Sequence, residues 1–298
     1  MRNMAIEDAY HHCIEITRSH YENFPVASRF IAKQLRKPVS VIYAFARTAD
    51  DFADEGNDGI DRRLAKLDDY VRKLDSIARS EPQEHPVFIA LADIIRQFRL
   101  PLTPFYDLLT AFRMDVTKKR YANFAEVMHY CSYSANPVGN LILHLHDKAT
   151  MENLVRSDAI CSALQLINFL QDIEQDYVEC GRIYLPQDEM ARCGVNEDQI
   201  REKRTDTAML NLIDKQVNRI LDLMNRGIPL GWELPGRTGL ELRMTIYGGL
   251  RILEHLHRQR DDVFTRPRLS KRDWCWMAWM AMRKHPQPFF LNKQDCLS

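Results

Sequence analysis

The chain has no surplus of charge: 41 basic and 41 acidic side chains cancel over 298 residues. Without a basic field it is not expected to bind nucleic acid, and any electrostatic function has to be local. Nor is there an apolar run approaching the roughly 20 residues that span a bilayer. The longest, Trp274 to Met282, holds nine residues and three of the four tryptophans. A buried terminal helix is the plainer reading of that run; an interfacial anchor dipping into lipid headgroups is the sharper one. The seven cysteines are scattered and form no C-x-x-C pair. That argues against a disulfide framework or zinc knuckle and for reduced thiols in a cytoplasmic protein. The N-terminal "MRNMAIEDAYHHCIEITRSHY" places acids where an export signal needs an apolar segment, so none is expected. P-loop, G-x-G-x-x-G and Ser-His-Asp arrangements are missing too.

What is present is helical period almost everywhere, in a chain that is 45% apolar and 28% charged. Helices are expected at about 4–20, 38–55, 60–80, 87–98, 104–117, 123–146, 150–179, 196–226, 237–261 and 270–283. Breakers such as "SEPQEHP", "LPLTP", "CGRIYLP" and "RGIPLGWELPGRTG" separate them. No Gly/Ser linker or shift in composition divides the chain, so one all-α domain over residues 1–298 is expected.

Two apolar helices each carry a polar stripe. Tyr43, Arg47, Asp50 and Asp54 recur three or four residues apart, with Ile42, Ala46, Ala49 and Ala53 beside them. Cys161, Gln165, Asn168, Asp172 and Asp176 repeat the device among Leu164, Ile167, Phe169 and Leu170. Solvated acids explain most D-x-x-x-D spacings. These two sit within strongly apolar neighbours, and acids at the C-terminal end of a helix oppose its dipole, so something cationic should offset them. Magnesium fits best, as a hard ion held by one or two carboxylates, waters and substrate phosphate. An EF-hand pattern is lacking, and four acids exceed what a two-carboxylate glycosidase needs. Metal ions on a diphosphate make it a leaving group, and the carbocation left behind needs a dry pocket with aromatic faces. Phe24, Tyr43, Phe45, Tyr130, Tyr133, Phe169 and Tyr247 are the candidates, with plain core packing the competing role for each.

"FARTADDFADE" and "QLINFLQDIEQDY…GRIYLP" together resemble the two aspartate-rich motifs of the squalene/phytoene synthase family, over about His20 to Tyr247. "ENFPVAS", "DVTKKRY" and "SANPVGNLILHL" resemble its branch that makes hydroxysqualene in bacterial hopanoid biosynthesis. The resemblance implies a helical bundle of the isoprenoid synthase type with a central active-site cavity. It implies presqualene diphosphate as substrate, water capture of the rearranged cation, two or three Mg2+ ions and no NADPH. It assigns Asp50, Asp54, Asp172 and Asp176, with Asp115 nearby, to the metal. Arg47, Gln165, Asn168, Phe24, Arg182 and Lys118 are implied to hold substrate, with Arg120 a further phosphate contact, and Tyr43 and Tyr130 to be catalytic. Asn136, beside a helix-breaking proline, is a candidate for placing the quenching water.

The chain departs from the wider family at Gln171 and Gln175, where many members carry arginine and an acid, and at Asn23, Pro25, Asn136 and Pro137. These departures suit an enzyme confined to the later ionisation. The alternatives are a synthase joining two prenyl diphosphates head to head and, further off, a non-catalytic assembly protein of the same fold. His144/His146 and His255/His257 point to different helix faces and are expected to be surface or core residues. His20 lies at the edge of the expected site, and Glu55 is a candidate brace for metal-bound water. Poorly soluble lipids imply transient contact with the inner face of a membrane, and with pathway enzymes, for a cytoplasmic protein.

Overall fold

The computed structural model describes residues 2–19, 33–54, 56, 58–286 and 289. Its helices are α1 (Arg2–Ser19), α2 (Lys33–Asp54), α3 (Ile60–Ala78), α4 (Pro86–Phe98) and α5 (Thr103–Thr117). There follow α6 (Phe124–Ser134), α7 (Asn136–Leu145), α8 (Met151–Gln171), α9 (Ile173–Cys180) and α10 (Gln187–Cys193). The last are α11 (Glu197–Arg201), α12 (Thr207–Gly227), α13 (Leu230–Glu233), α14 (Gly236–Arg258) and α15 (Lys271–Ala281). Among the described residues there is no strand, only an isolated bridge between Arg120 and Ile183. No disulfide joins the described cysteines.

Three of the expected helices are interrupted. The 123–146 segment breaks at Ala135 (φ −111°, ψ −47°), because Pro137 offers no amide to the preceding turn. The 196–226 segment splits where Lys203 turns to φ 53° and Asp206 caps α12, its carboxylate accepting the Met209 amide at 2.9 Å. The 150–179 segment bends at Asp172 (φ −111°, ψ 20°). Two short helices, α10 and α13, went unanticipated inside stretches taken as breakers or connectors.

Contacts gather the chain into two compact units: Met1–Thr117 with Asn136–Leu154, and Lys118–Ala135 with Val155–Ser298. In the first, α2 is the hub, packed by α1, α3, α4, α5 and α7. Its Phe45 is fully buried, with the rings of Tyr70, Phe88 and Phe105 at 5.7, 5.9 and 5.3 Å in tilted or edge-on contact. The helix with the first aspartate stripe is thus anchored by its opposite face.

In the second unit α14 packs on α12, α13 and α15, α10 on α12, and α11 on α9. Close approach to α8 is set by two small residues. A Cβ on Gly249 would stand 2.7 Å from the Leu164 side chain, and one on Gly227 would stand 2.8 Å from the Arg156 carbonyl oxygen. Both positions lack room for a side chain, so glycine lets these helices seat the helix that bears the second stripe.

Candidate active site

In the first unit the stripe on α2 takes the orientation its period demands. Ala49 and Ala53 are fully buried and Ile42 nearly so, while Tyr43, Arg47 and Asp50 are half-buried and Asp54 is exposed. The acid run is partly neutralised from its own helix. Arg47 places Nη2 2.6 Å from Asp51 Oδ1 and Nη1 3.4 Å from Asp50 Oδ2. Burial raises the Tyr43 phenol above its ordinary pKa; Arg47 opposes the shift, and Asp51 and Asp50 add to it. Asp51 was not on the expected stripe, yet it makes the shorter contact with Arg47. Helix α2 packs against α5, which carries the buried Asp115, and against α7, which opens with the half-buried Asn136. Phe24, His20 and Glu55 lie outside the described residues.

In the second unit Leu166, Ile167, Phe169 and Leu170 face inward from α8, with Gln165 half-buried and Asn168 exposed. The bend at Asp172 keeps both flanking hydrogen bonds. Its amide donates to the Asn168 carbonyl at 2.9 Å, and its carbonyl accepts the Asp176 amide at 2.8 Å. Asp172 and Asp176 therefore stay one turn apart although the helix is not straight between them. Burial pushes the Asp172 carboxyl up, Arg266 opposes the shift, and Glu179 adds to it. Arg266 Nε is 2.9 Å from Asp172 Oδ1. No feature of the sequence singled out Arg266, which sits on the connector before α15.

Basic side chains collect on the same unit by strand-like pairing of two irregular segments. Ile183 donates its amide to the Lys119 carbonyl at 3.0 Å and Gln187 to the Tyr121 carbonyl at 2.9 Å. The Arg182 amide donates to the Asp176 carbonyl at 2.9 Å, joining this pairing to the second motif. The Arg182 side chain is buried, at 6% exposure. Lys118 Nζ pairs with Glu126 at 2.8 Å and lies 4.9 Å from the Tyr121 ring centroid. Arg120 is held by both Glu197 oxygens, at 2.6 and 2.7 Å, a bidentate fork that commits it to the scaffold.

The pairing also builds an aromatic cluster. Phe169 and Tyr184 stack parallel with centroids 3.7 Å apart, and Tyr130 meets Tyr121, Tyr184 and Phe169 at 5.7, 5.6 and 6.0 Å. Tyr121 and Tyr184 were missed as aromatic candidates, although both stand in motif segments. Among the other candidates, Phe45 serves the core of the first unit. Tyr247 is fully buried edge-on against Trp276 at 5.7 Å, and Tyr133 packs on His129 at 4.9 Å. His255 and His257 are within 3.3 and 3.1 Å of Asp273 and Asp214, the satisfied role expected of them.

The donor chemistry fits magnesium. A carboxylate whose ionised form is penalised by burial, with one arginine opposing it, calls for further positive charge. Among the described residues no three His, Cys, Asp or Glu side chains gather into a complete ion site. Carboxylates supplied one or two at a time suit an ion that keeps waters and takes substrate phosphate as ligand, unlike zinc or calcium.

A family model described as squalene/phytoene synthase matches residues 17–274. The chain is 37% identical over 263 residues to the hydroxysqualene synthase of Rhodopseudomonas palustris, covering 88% of each. It is 32% identical to the phytoene synthase of Mycobacterium bovis, covering 72% of this chain and 68% of that protein. Among solved structures, squalene synthase HpnC from Alicyclobacillus acidocaldarius superposes with a TM-score of 0.80 at 36% identity, covering 85% of this chain and 95% of its own.

Proposed function

We propose, for a chain that belongs to the squalene/phytoene synthase family and has its all-helical isoprenoid synthase fold, that it is a hydroxysqualene synthase, a carbon–oxygen lyase acting on presqualene diphosphate. The observation that carries this is the similarity to the Rhodopseudomonas palustris hydroxysqualene synthase, which runs through nearly the whole of both chains. In support, both aspartate motifs are intact, and the family match crosses both compact units, as a single synthase domain over residues 1–298 would require.

In this reading Asp50, Asp54, Asp172 and Asp176, with Asp115, would hold two or three Mg2+ ions. Bound there, the ions would stabilise the departing diphosphate. Arg47, Lys118 and Arg182 orient the diphosphate, Gln165 and Asn168 position it beside the second motif, and Phe24 lines the approach. The substrate C–O bond breaks with its electron pair going to diphosphate. Tyr43 and Tyr130 present ring faces to the cation, and the apolar flank of α8 keeps bulk water away. After rearrangement one water, placed by Asn136, forms the new C–O bond and releases a proton. The products are hydroxysqualene and diphosphate. No reductant enters this balance, so no NADPH is required.

The phytoene synthase similarity favours the nearest rival, a synthase that joins two prenyl diphosphates. Purified protein incubated separately with presqualene diphosphate and with farnesyl diphosphate, and the products identified by mass spectrometry, decides between them. Hydroxysqualene from the first is the expected result. Presqualene diphosphate accumulating from the second would assign the rival reaction. Diphosphate release insensitive to a chelator, and to Asp50→Asn and Asp172→Asn, would instead leave an assembly protein. Substrate and product are poorly soluble, so hand-over at the inner face of a membrane and between pathway enzymes belongs to the same proposal. No described helix is long and apolar enough to cross a membrane.

A further inference from the structure

Helix α15 is buried on one side only. Met277, Met280 and Ala281 pack inward, while Trp274, Trp279 and Met282 are 54%, 54% and 70% exposed. At 100° per residue, Trp274, Cys275, Ala278, Trp279 and Met282 fall on one arc of about 140°, a continuous face rather than scattered exposures. Two tryptophans and a methionine left in water on one helix face mark a surface that something else covers.

The exposed charge carried by α15 and its flanking residues is of one sign. Lys271 and Arg272 stand exposed at its N-terminal end, Arg283 and Lys284 at its C-terminal end, and Arg268 on the adjoining connector. The sole acid between Arg266 and His285 is Asp273, which is 2% exposed and taken up by Arg251 and His255. Lys271, Arg272 and Lys284 are in no ion pair among the described residues. Arg283 lies 4.3 Å over the Trp279 ring, so that cation and aromatic face are presented together. A chain of zero net charge thus places five cations and one internally paired acid in the segment from Arg268 to Lys284.

We propose that the exposed face of α15 is a docking surface for an anionic phospholipid bilayer. Its tryptophans and Met282 enter the headgroup boundary, and Lys271, Arg272, Arg283 and Lys284 meet the lipid phosphates. Tryptophan favours that boundary because its ring is apolar and its N–H polar. Near an anionic surface each Lys or Arg contributes about fivefold in partitioning, and salt weakens it. A second protein copy offers no comparable reason for a like-charged rim, since two such faces would repel. This assignment deepens the reading that the substrates are lipids, but the surface argument needs no catalysis.

The test is flotation of the full chain with phosphatidylcholine vesicles and with phosphatidylcholine/phosphatidylglycerol vesicles, at low and high salt and without substrate. The expected result is binding to the anionic vesicles that falls with salt. Trp274→Ser/Trp279→Ser and Lys271→Gln/Arg272→Gln/Lys284→Gln should each reduce it by about tenfold or more. Thermal melting verifies that both variants fold, and the exposed positions predict wild-type melting. Absence of flotation, or equal flotation by either variant, overturns the proposal. So does a dimer in sedimentation velocity that is lost with Trp274→Ser/Trp279→Ser, which would give the face to a second copy. Because no substrate is present, failure here is distinct from failure of the hydroxysqualene assay.

Discussion

Arg266 holds Asp172: its Nε stands 2.9 Å from Oδ1 of the first acid of the second motif. The arginine is exposed and the acid half-buried. A guanidinium here gives a half-buried carboxylate partial compensation and occupies an oxygen that the proposed metal would need. Replacing Arg266 with glutamine removes that competition. The Mg2+ concentration for half-maximal diphosphate release should fall by about two- to fivefold, the range of a partly exposed ion pair. A magnesium titration of wild type and variant measures it; an unchanged or higher requirement would show that Arg266 does not compete for this carboxylate.

Asn136 opens α7 next to Pro137, at a break where the helix cannot close its own hydrogen bonds. If its amide places the quenching water, Asn136→Leu should raise eliminated or rearranged hydrocarbon at the expense of hydroxysqualene while substrate is still consumed. Product ratios by mass spectrometry test this, and the same ratio in both proteins dismisses the role.

Asp158 lies on α8 two turns before Gln165, and burial alone pushes its carboxyl up to about 6 from 3.8. The folded state then binds the proton more tightly than the unfolded chain. Its contribution is fully present below about pH 4 and is lost as pH rises through about 6. For a half-buried group, screening reduces the cost of ionisation at neutral pH to about 1 kcal/mol. Asp158→Asn should therefore melt about 2 °C higher than wild type at pH 7.5, with little difference near pH 4. A stabilisation independent of pH would refute the titration as its source.

Gly249 gives α14 its close seat on α8, with Leu164, Met224 and Ile167 all within 3.3 Å of where a Cβ would lie. Gly249→Ala gains helix propensity but forces these side chains aside, and overpacking of this kind costs about 1–3 kcal/mol. Urea denaturation should show a lower midpoint at unchanged slope. An increase in stability would mean that the neighbours yield without strain.

The periodicity of "VIYAFARTADDFAD" was enough to separate the Asp50/Asp54 stripe from Ala49 and Ala53, which are buried where Asp50 is half-buried and Asp54 exposed, because one helix turn fixes which side chains share a face. The same local rule located the apolar flank of α8, whereas for Trp274–Met282 it left a buried helix and an interfacial anchor both open. It did not locate the bend at Asp172, where both flanking hydrogen bonds survive and no proline or glycine marks the change. The partners that neutralise the acids divided likewise: Arg47 lies one turn from Asp51 and could be read from the chain, whereas Arg266 is far from Asp172 in sequence. Tyr121 and Tyr184 escaped notice for the same reason, since two irregular segments meet through backbone hydrogen bonds that carry no sequence signature.

From its order of residues alone the chain dictated all-helical structure and the two acid stripes, since charge and apolar period are properties of neighbours along a helix. Only the folded arrangement decided that Arg266 sits against Asp172, which rings stack, and which tryptophans are left facing outward. Those outcomes depend on distances between segments far apart in the chain, set by packing as close as that of Gly249 on α8.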